Sequence, residues 1–431
     1  MKNLLNYFTA TFLVLSFHFS FSQELSKDYV LQDVTIIDAY NPTGLIQQTI
    51  IIQNGKINDI FPMNSKKLPI NSTEIWLTGK YIIPGLIDTH VHLATDPSGV
   101  DYRSKSEYVL KEMLYRGITS VRDMAGDGRA LASLSRDALV GDIDSPNIYF
   151  AALMAGPEFF KDPRTEESSR GGIAGTMPYM KAITDSTNLE LAIAEAKGTG
   201  ASGIKLYMFI SGELAKKVVT EAKKQNMQIW SHASLQLASL EEVVSSGVHS
   251  ISHAHMLLPF SMGGIPEEWK KRKDPDMSDE FWDKEIEKLD LDPFFNLMKT
   301  NGTILDATLC VYKKMIMENS EMKWLGEIVT RITEKAHLLG VKISTGTDSD
   351  QTLFVPEEME ILVKFCGFTP IDAIVAATII GAESIGISKT HGTIEIGKCA
   401  DMLVLEKNPL EDILNINEVD FVIKNGQIFE R

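Results

Sequence analysis

Eight short apolar runs, with helical patterns between them, occupy the middle of this 431-residue chain. The first is Pro84-Gly85-Leu86-Ile87-Asp88-Thr89-His90-Val91-His92. The others cover residues 118–121, 147–151, 204–207, 229–232, 250–253, 304–308 and 341–345. Helical patterns such as 214–224 and 240–244 separate them. Strands that alternate with helices predict a parallel sheet, and eight of them predict an α/β fold closed into a (β/α)8 barrel. In such a barrel, chemistry gathers at the C-terminal ends of the strands.

Both ends of the chain have a different texture. Residues 29–31, 34–37, 49–52 and 57–60 read as strands, with Asn54-Gly55 as a hairpin turn between the last two. Residues 401–405 and 421–423 read the same way, and Asn425-Gly426 repeats the turn signal. Two β segments around a different middle predict one small β-sandwich domain formed by both chain ends. The expected boundaries are 24–80 and 389–431 for the sandwich and 81–388 for the barrel. Residues 261–295 are polar and charged, contain Trp269 and Trp282, and read as an insertion after strand six, in the position of a lid.

Residues 1–22 read as a signal peptide. Lys2 supplies the positive start, residues 4–21 are largely apolar, and Ser20-Phe21-Ser22 offers small residues before Gln23. Thr9, Thr11, Ser16, His18 and Ser20 interrupt the stretch as a membrane span. The expectation is an exported protein, periplasmic or extracellular, with no stable membrane anchor after cleavage. The net charge of -16 argues against nucleic acid or an anionic membrane as partner. A homo-oligomer is compatible with all of this. Cys310, Cys366 and Cys399 are odd in number and widely spaced. They form neither a disulfide framework nor a thiolate metal site, and are expected to be buried small hydrophobes.

The polar residues at the expected strand ends are His90, His92, Arg122, Asp123, Lys205, His232, His253 and Asp348. His90 and His92 are spaced i, i+2 and so point to one side of their strand. Four histidines and an aspartate that converge on one barrel mouth predict a metal site. His249 and His255 share the alternation of His253 and compete with it as the strand-six ligand. His255 otherwise reads as a pocket residue, and His337 and His391 as surface. Tyr207 shares the face of Lys205, as a substrate hydrogen-bond donor or as aromatic packing. Arg122 reads as a substrate contact, or as one half of an ion pair with Asp123 that closes the mouth.

These residues make the chain resemble the amidohydrolase superfamily, and within it the imidazolonepropionase-like and prolidase-like branch. The resemblance rests on residues 84–92, Gly117-Ile118-Thr119-Ser120-Val121-Arg122-Asp123, Gly203-Ile204-Lys205, Ser231-His232-Ala233, Ile251-Ser252-His253 and Gly346-Thr347-Asp348. Residues 392–401 match the family's return into the sandwich domain. The resemblance implies two divalent metal ions per subunit, with zinc favoured by the histidine-rich ligands. His90, His92 and Asp348 would hold one ion, and His232 and His253 the other. Lys205 would bridge both as a carbamate formed with carbon dioxide. The family pattern has an apolar residue two before the strand-six ligand, and Ile251 selects His253. Asp348 would also act as general acid/base, taking the proton of the metal-activated hydroxide and passing it to the leaving nitrogen.

Two departures bear on substrate. The branch has a Gly-Gly-His stretch after strand three, and this chain has Gly171-Gly172-Ile173. Deaminase relatives have a glutamate three residues after the strand-five histidine, where this chain has Leu235. The expectation is therefore hydrolysis of a C–N bond in a small amide, peptide or cyclic amide. Candidates are an Xaa-Pro dipeptide and an imidazolone-like ring. Ester or lactone hydrolysis at the same site is the alternative, and a barrel that only binds a ligand is the non-enzymatic one.

Overall fold

The computed structural model of the chain describes residues 28–94, 103–258, 279–348 and 352–430. Its eight barrel strands are Leu86–Val91, Ile118–Asp123, Asn147–Ala155, Gly203–Leu206, Gln228–His232, Ser250–Ser252, Ile304–Asp306 and Ile343–Ser344. Each pairs in parallel with the next, so that Lys205 lies between Leu153 on one side and Trp230 on the other. The ring closes where Thr89 N donates to Thr345 O (2.9 Å) and Asp348 N donates to His90 O (2.8 Å). This last bond also carries Asp348 to the mouth, directly beside the first strand.

Outer helices follow from their periodicity. Gly212–Lys224 buries Leu214, Ala215, Val218, Val219 and Ala222, a stripe at i, i+1, i+4, i+5 and i+8. Ser211 caps it by accepting from Leu214 N at 3.2 Å. The barrel floor is polar. Arg122 is fully buried and its guanidinium lies 4.7 Å from the Trp230 ring centre. Both side chains donate to Ser384 O, at 3.2 Å from Arg122 Nη1 and 2.7 Å from Trp230 Nε1.

Both chain ends build one eight-stranded sheet, the β-sandwich domain, whose core of Leu31, Ile50, Val404, Phe421 and neighbours is separate from that of the barrel. The expected boundary at residue 81 moves. Tyr81–Pro84 belongs to the sheet, antiparallel to Met402–Leu405 and parallel to Tyr29–Asp38. Gly85 then passes the chain into the barrel, where a Cβ would stand 2.2 Å from Thr119 Oγ1. Both Asn-Gly turns form with positive φ at each residue, 51° and 73° at Asn54-Gly55 and 50° and 75° at Asn425-Gly426. They abut each other, since a Cβ on Gly55 would stand 2.8 Å from Asn425 O.

The expected signal segment and residues 261–278 of the expected insertion lie outside the described residues, as does the Trp282 side chain. The insertion ends earlier than its composition suggests. Asp292–Asn301 is an ordinary outer helix that buries Phe294, Phe295 and Met298 ahead of strand seven. Among the described residues no helix is long and apolar enough to cross a membrane. Cys310 and Cys366 are free and buried, whereas Cys399 is half-buried. His391 is not a surface residue. It is buried beside Asp401, with Nε2 3.5 Å from the carboxylate, and that partner immediately precedes the strand Met402–Leu405 that returns to the sheet.

Candidate metal centre

The strand ends bring six of the expected side chains into one cluster. His90 and His92 have ring centres 5.4 Å apart. Asp348 lies among the histidines, with Oδ1 3.3 Å from His92 Nε2 and 3.7 Å from His90 Nε2. Its Oδ2 is 3.7 Å from His253 Nδ1. His253 Nε2 faces His232 Nε2 at 3.1 Å. Lys205 Nζ donates to Ser252 Oγ at 3.3 Å, one residue from His253. Neither His253 (φ 77°) nor Asp348 (φ 42°) has ordinary strand geometry. Both adopt the left-handed conformation that non-glycine residues disfavour, a strain held by the surrounding barrel.

The electrostatics follow from burial and neighbours. Burial, followed by neighbouring cations, pushes the pKa of His232 well below the usual histidine range. Burial does the same to His253, against the opposing pull of Asp348. Both shifts favour the neutral ring, which is the form that binds metal. Burial pushes the Asp348 carboxyl up, but His90, His92 and His253 outweigh it and hold the group well below the usual carboxylate range. Burial lowers Lys205 to about 7, with Asp306 opposing.

These donors fit a divalent transition metal. The ligand atoms of His90, His253 and Asp348 all lie within 4.8 Å of one another. His232 Nδ1 is buried with no partner. An imidazole-rich set with one carboxylate, a lysine amine and no thiolate suits zinc better than calcium or magnesium.

Other expected residues divide. Tyr207 packs against His232, with ring centres 4.0 Å apart, and against Phe159 at 4.6 Å. His255 lies one shell out from His253 (5.9 Å between ring centres), with Nδ1 2.5 Å from Tyr312 Oη. Both border the cluster. Arg122 lies inside the barrel and not at its open mouth. Its side chain is fully enclosed, Nε donates to Thr89 O at 2.6 Å, and its ion pair is with Asp306 at 3.5 Å. The expected partner Asp123 turns the other way, because adjacent residues on a strand face opposite sides. Asp123 accepts from the backbone of Leu93 and Ala125 instead. His249 lies at the far end of the barrel, where its Nδ1 accepts from Ile229 N at 3.0 Å, so it is no rival to His253. Leu235 is fully buried.

Sequence reasoning passed over two carboxylates. Asp88 accepts from His90 N (3.1 Å) and Thr347 N (3.0 Å), clamping the first strand to the turn that carries Asp348. Asp306 accepts from His90 Nδ1 at 2.7 Å. The signal for Asp306 was present, since it ends an apolar strand run as His232 does.

Comparison with known proteins bears on the family and the fold. The sequence profile of the amidohydrolase family matches residues 81–429. Ochratoxinase of Aspergillus niger is 27% identical over 442 residues, covering 90% of this chain and 83% of its own. Imidazolonepropionase of Thermoplasma volcanium is 20% identical over 428 residues, covering 89% of this chain and 91% of its own. Among solved structures, an Xaa-Pro dipeptidase with methionine bound in its active site aligns with TM-score 0.73 and 21% identity, over 94% of this chain and 100% of that one. The Aspergillus niger ochratoxinase crystal structure aligns with TM-score 0.72 and 22% identity, over 94% and 96%. With most of its length matched by the family profile and a barrel mouth of this composition, the chain belongs to the amidohydrolase family of hydrolases that act on carbon–nitrogen bonds.

Proposed function

We propose that the protein is a metal-dependent hydrolase of the amide bond in a small peptide, an N-acyl amino acid or a cyclic amide. The observation that carries this reading is the position of Asp348, whose two oxygens lie within 3.7 Å of ring nitrogens of His90, His92 and His253. His90, His92 and Asp348 would hold one metal ion, and His232 and His253 a second. When bound, the ions supply Lewis acidity that polarises the scissile carbonyl and acidifies water.

The chain's own residues supply the rest. Burial leaves much of Lys205 as a neutral amine near pH 7. That nitrogen can form a bond to the carbon of carbon dioxide and release a proton, giving an anionic carbamate with two oxygen donors in place of a buried cation. Asp348 stays ionised among the imidazoles and serves as general base toward water, then returns the proton to the leaving nitrogen. Tyr207 and His255 border the space in which the substrate would lie. Leu235 supplies no proton shuttle, which favours an open or cyclic amide over deamination of a ring. The names of the relatives, an ochratoxinase and an Xaa-Pro dipeptidase, point the same way. Export through cleavage near Ser22 completes the reading.

The test is direct. Mature protein purified without chelator should carry two metal equivalents, and should hydrolyse some member of a panel of Xaa-Pro dipeptides, N-acyl amino acids and cyclic amides. Stripping with a chelator should abolish that turnover and zinc should restore it. Turnover that survives complete stripping would sink the metal reading. N-terminal sequencing of protein from the native host should begin near Gln23, and an intact Met1 would sink the export reading.

A further inference from the structure

Two halves of the centre are joined by a side chain outside the expected ligand set. Asp306 ends the seventh barrel strand and is fully buried. Its Oδ2 faces three donors: His90 Nδ1 at 2.7 Å, Ser252 Oγ at 3.0 Å and Arg122 Nη2 at 3.5 Å. Ser252 Oγ in turn accepts from Lys205 Nζ at 3.3 Å. A continuous polar chain therefore runs from Lys205 through Ser252 and Asp306 to His90, linking strands four, six, seven and one.

The direction of these bonds fixes a tautomer. A carboxylate oxygen can only accept, so His90 Nδ1 must carry the proton and Nε2 must present its lone pair. Nε2 is the nitrogen that faces Asp348. The other oxygen, Oδ1, is buried with no partner, and a Cβ on Gly346 would stand 2.1 Å from it. Gly346 thus leaves the space that the carboxylate fills. A role as mere counter-ion for Arg122 accounts poorly for this geometry, because the Arg122 contact is the longest of the three. Arg122 also has Thr89 O (2.6 Å) and Ser384 Oγ (2.9 Å) as closer partners.

We infer that Asp306 is a positioning residue for the metal centre, holding His90 with Nε2 toward the ion and tying that ligand to Lys205 through Ser252. The inference rests on the metal reading above. It implies that loss of Asp306 weakens metal binding by freeing His90, as loss of an outer partner of a ligating histidine does in general.

The experiment compares wild type with Asp306→Asn by chelator competition and metal analysis, with far-UV circular dichroism to confirm the fold. Metal affinity should fall about 10- to 100-fold in folded protein. Unchanged affinity with lowered thermal stability is the signature of a purely structural role and would overturn the inference. A wild type that holds no metal would instead overturn the metal reading on which it stands. Should Asp306→Asn fail to fold, a crystal structure of metal-loaded wild type decides. Coordination through His90 Nε2, with Nδ1 on Asp306, supports the inference. Coordination through Nδ1, or by Asp306 itself, overturns it.

Discussion

His232 and His253 face each other through their Nε2 atoms at 3.1 Å, across strands five and six. Burial disfavours the charged form of both rings. Two ring nitrogens so placed are suited to a shared ion. His232→Ala and His253→Ala should each lose one of two metal equivalents by elemental analysis. Hydrolysis should drop about 100-fold or more, since several kcal/mol of charge stabilisation is removed. Retention of both equivalents in either variant would count against this pair as ligands.

The role in proton transfer proposed for Asp348 can be tested separately from metal binding. Asp348→Asn keeps the shape of the side chain but not its basicity. Its kcat should fall about 10²- to 10⁴-fold, the span of general acid–base catalysis. Because the histidines hold the Asp348 carboxyl well below the usual carboxylate range, the wild-type rate should not lose this base through mild acid. An activity that Asp348→Asn leaves within about 10-fold of wild type would assign the proton transfer elsewhere.

Lys205 gives a pH dependence with a definite sign. Its pKa is about 7 in the folded metal-free protein against 10.5 in a free chain. Between those values the unfolded chain binds the extra proton, so stability rises with pH across the window and the penalty is complete below it. Urea unfolding of metal-free wild type and Lys205→Met at several pH values isolates this contribution. The variant should gain most over wild type near neutrality and below, and the advantage should shrink toward pH 10. A constant difference across the window would show that the amine is not desolvated as the fold implies.

Arg122 is a stability residue. Burial pushes its pKa down to about 10, which still leaves it charged at neutral pH. Arg122→Met would strand Asp306 without its cation. Breaking a buried pair in this way costs about 3–5 kcal/mol. Denaturant titration should show that loss, while KM in the surviving folded enzyme stays near the wild-type value. A large KM increase with unchanged stability would restore the role as a substrate contact.

The legibility of the chain tracks how local each signal is. His90 and His92 could be paired from spacing alone, because a strand's period of two is a local property. The Asn-Gly turns were readable for the same reason, since positive φ at two successive residues selects that dipeptide. The boundary at residue 81 was misplaced because Tyr81–Pro84 and Leu86–Val91 read as one apolar run. Only their pairing partners, residues 402–405 and 118–123, separate them. Arg122 and His391 were misjudged for a related reason. A charged or polar side chain reads as exposed until its partners are known, Asp306 far along the chain for Arg122 and Asp401 ten residues on for His391. Asp306 escaped notice because its contacts span 216 and 184 residues of sequence.

The placement of Tyr81–Pro84 between the N-terminal strand Tyr29–Asp38 and the late strand Met402–Leu405 has a consequence for biogenesis. The sheet cannot be completed when its first strands leave the ribosome, because its central strand lacks a neighbour until some 320 further residues have been made. Until then the edge of Tyr81–Pro84 that faces away from Tyr29–Asp38 has no strand to pair with. The late strand is therefore the one that seals the early ones, and a chain interrupted after the barrel would leave that sheet edge unpaired.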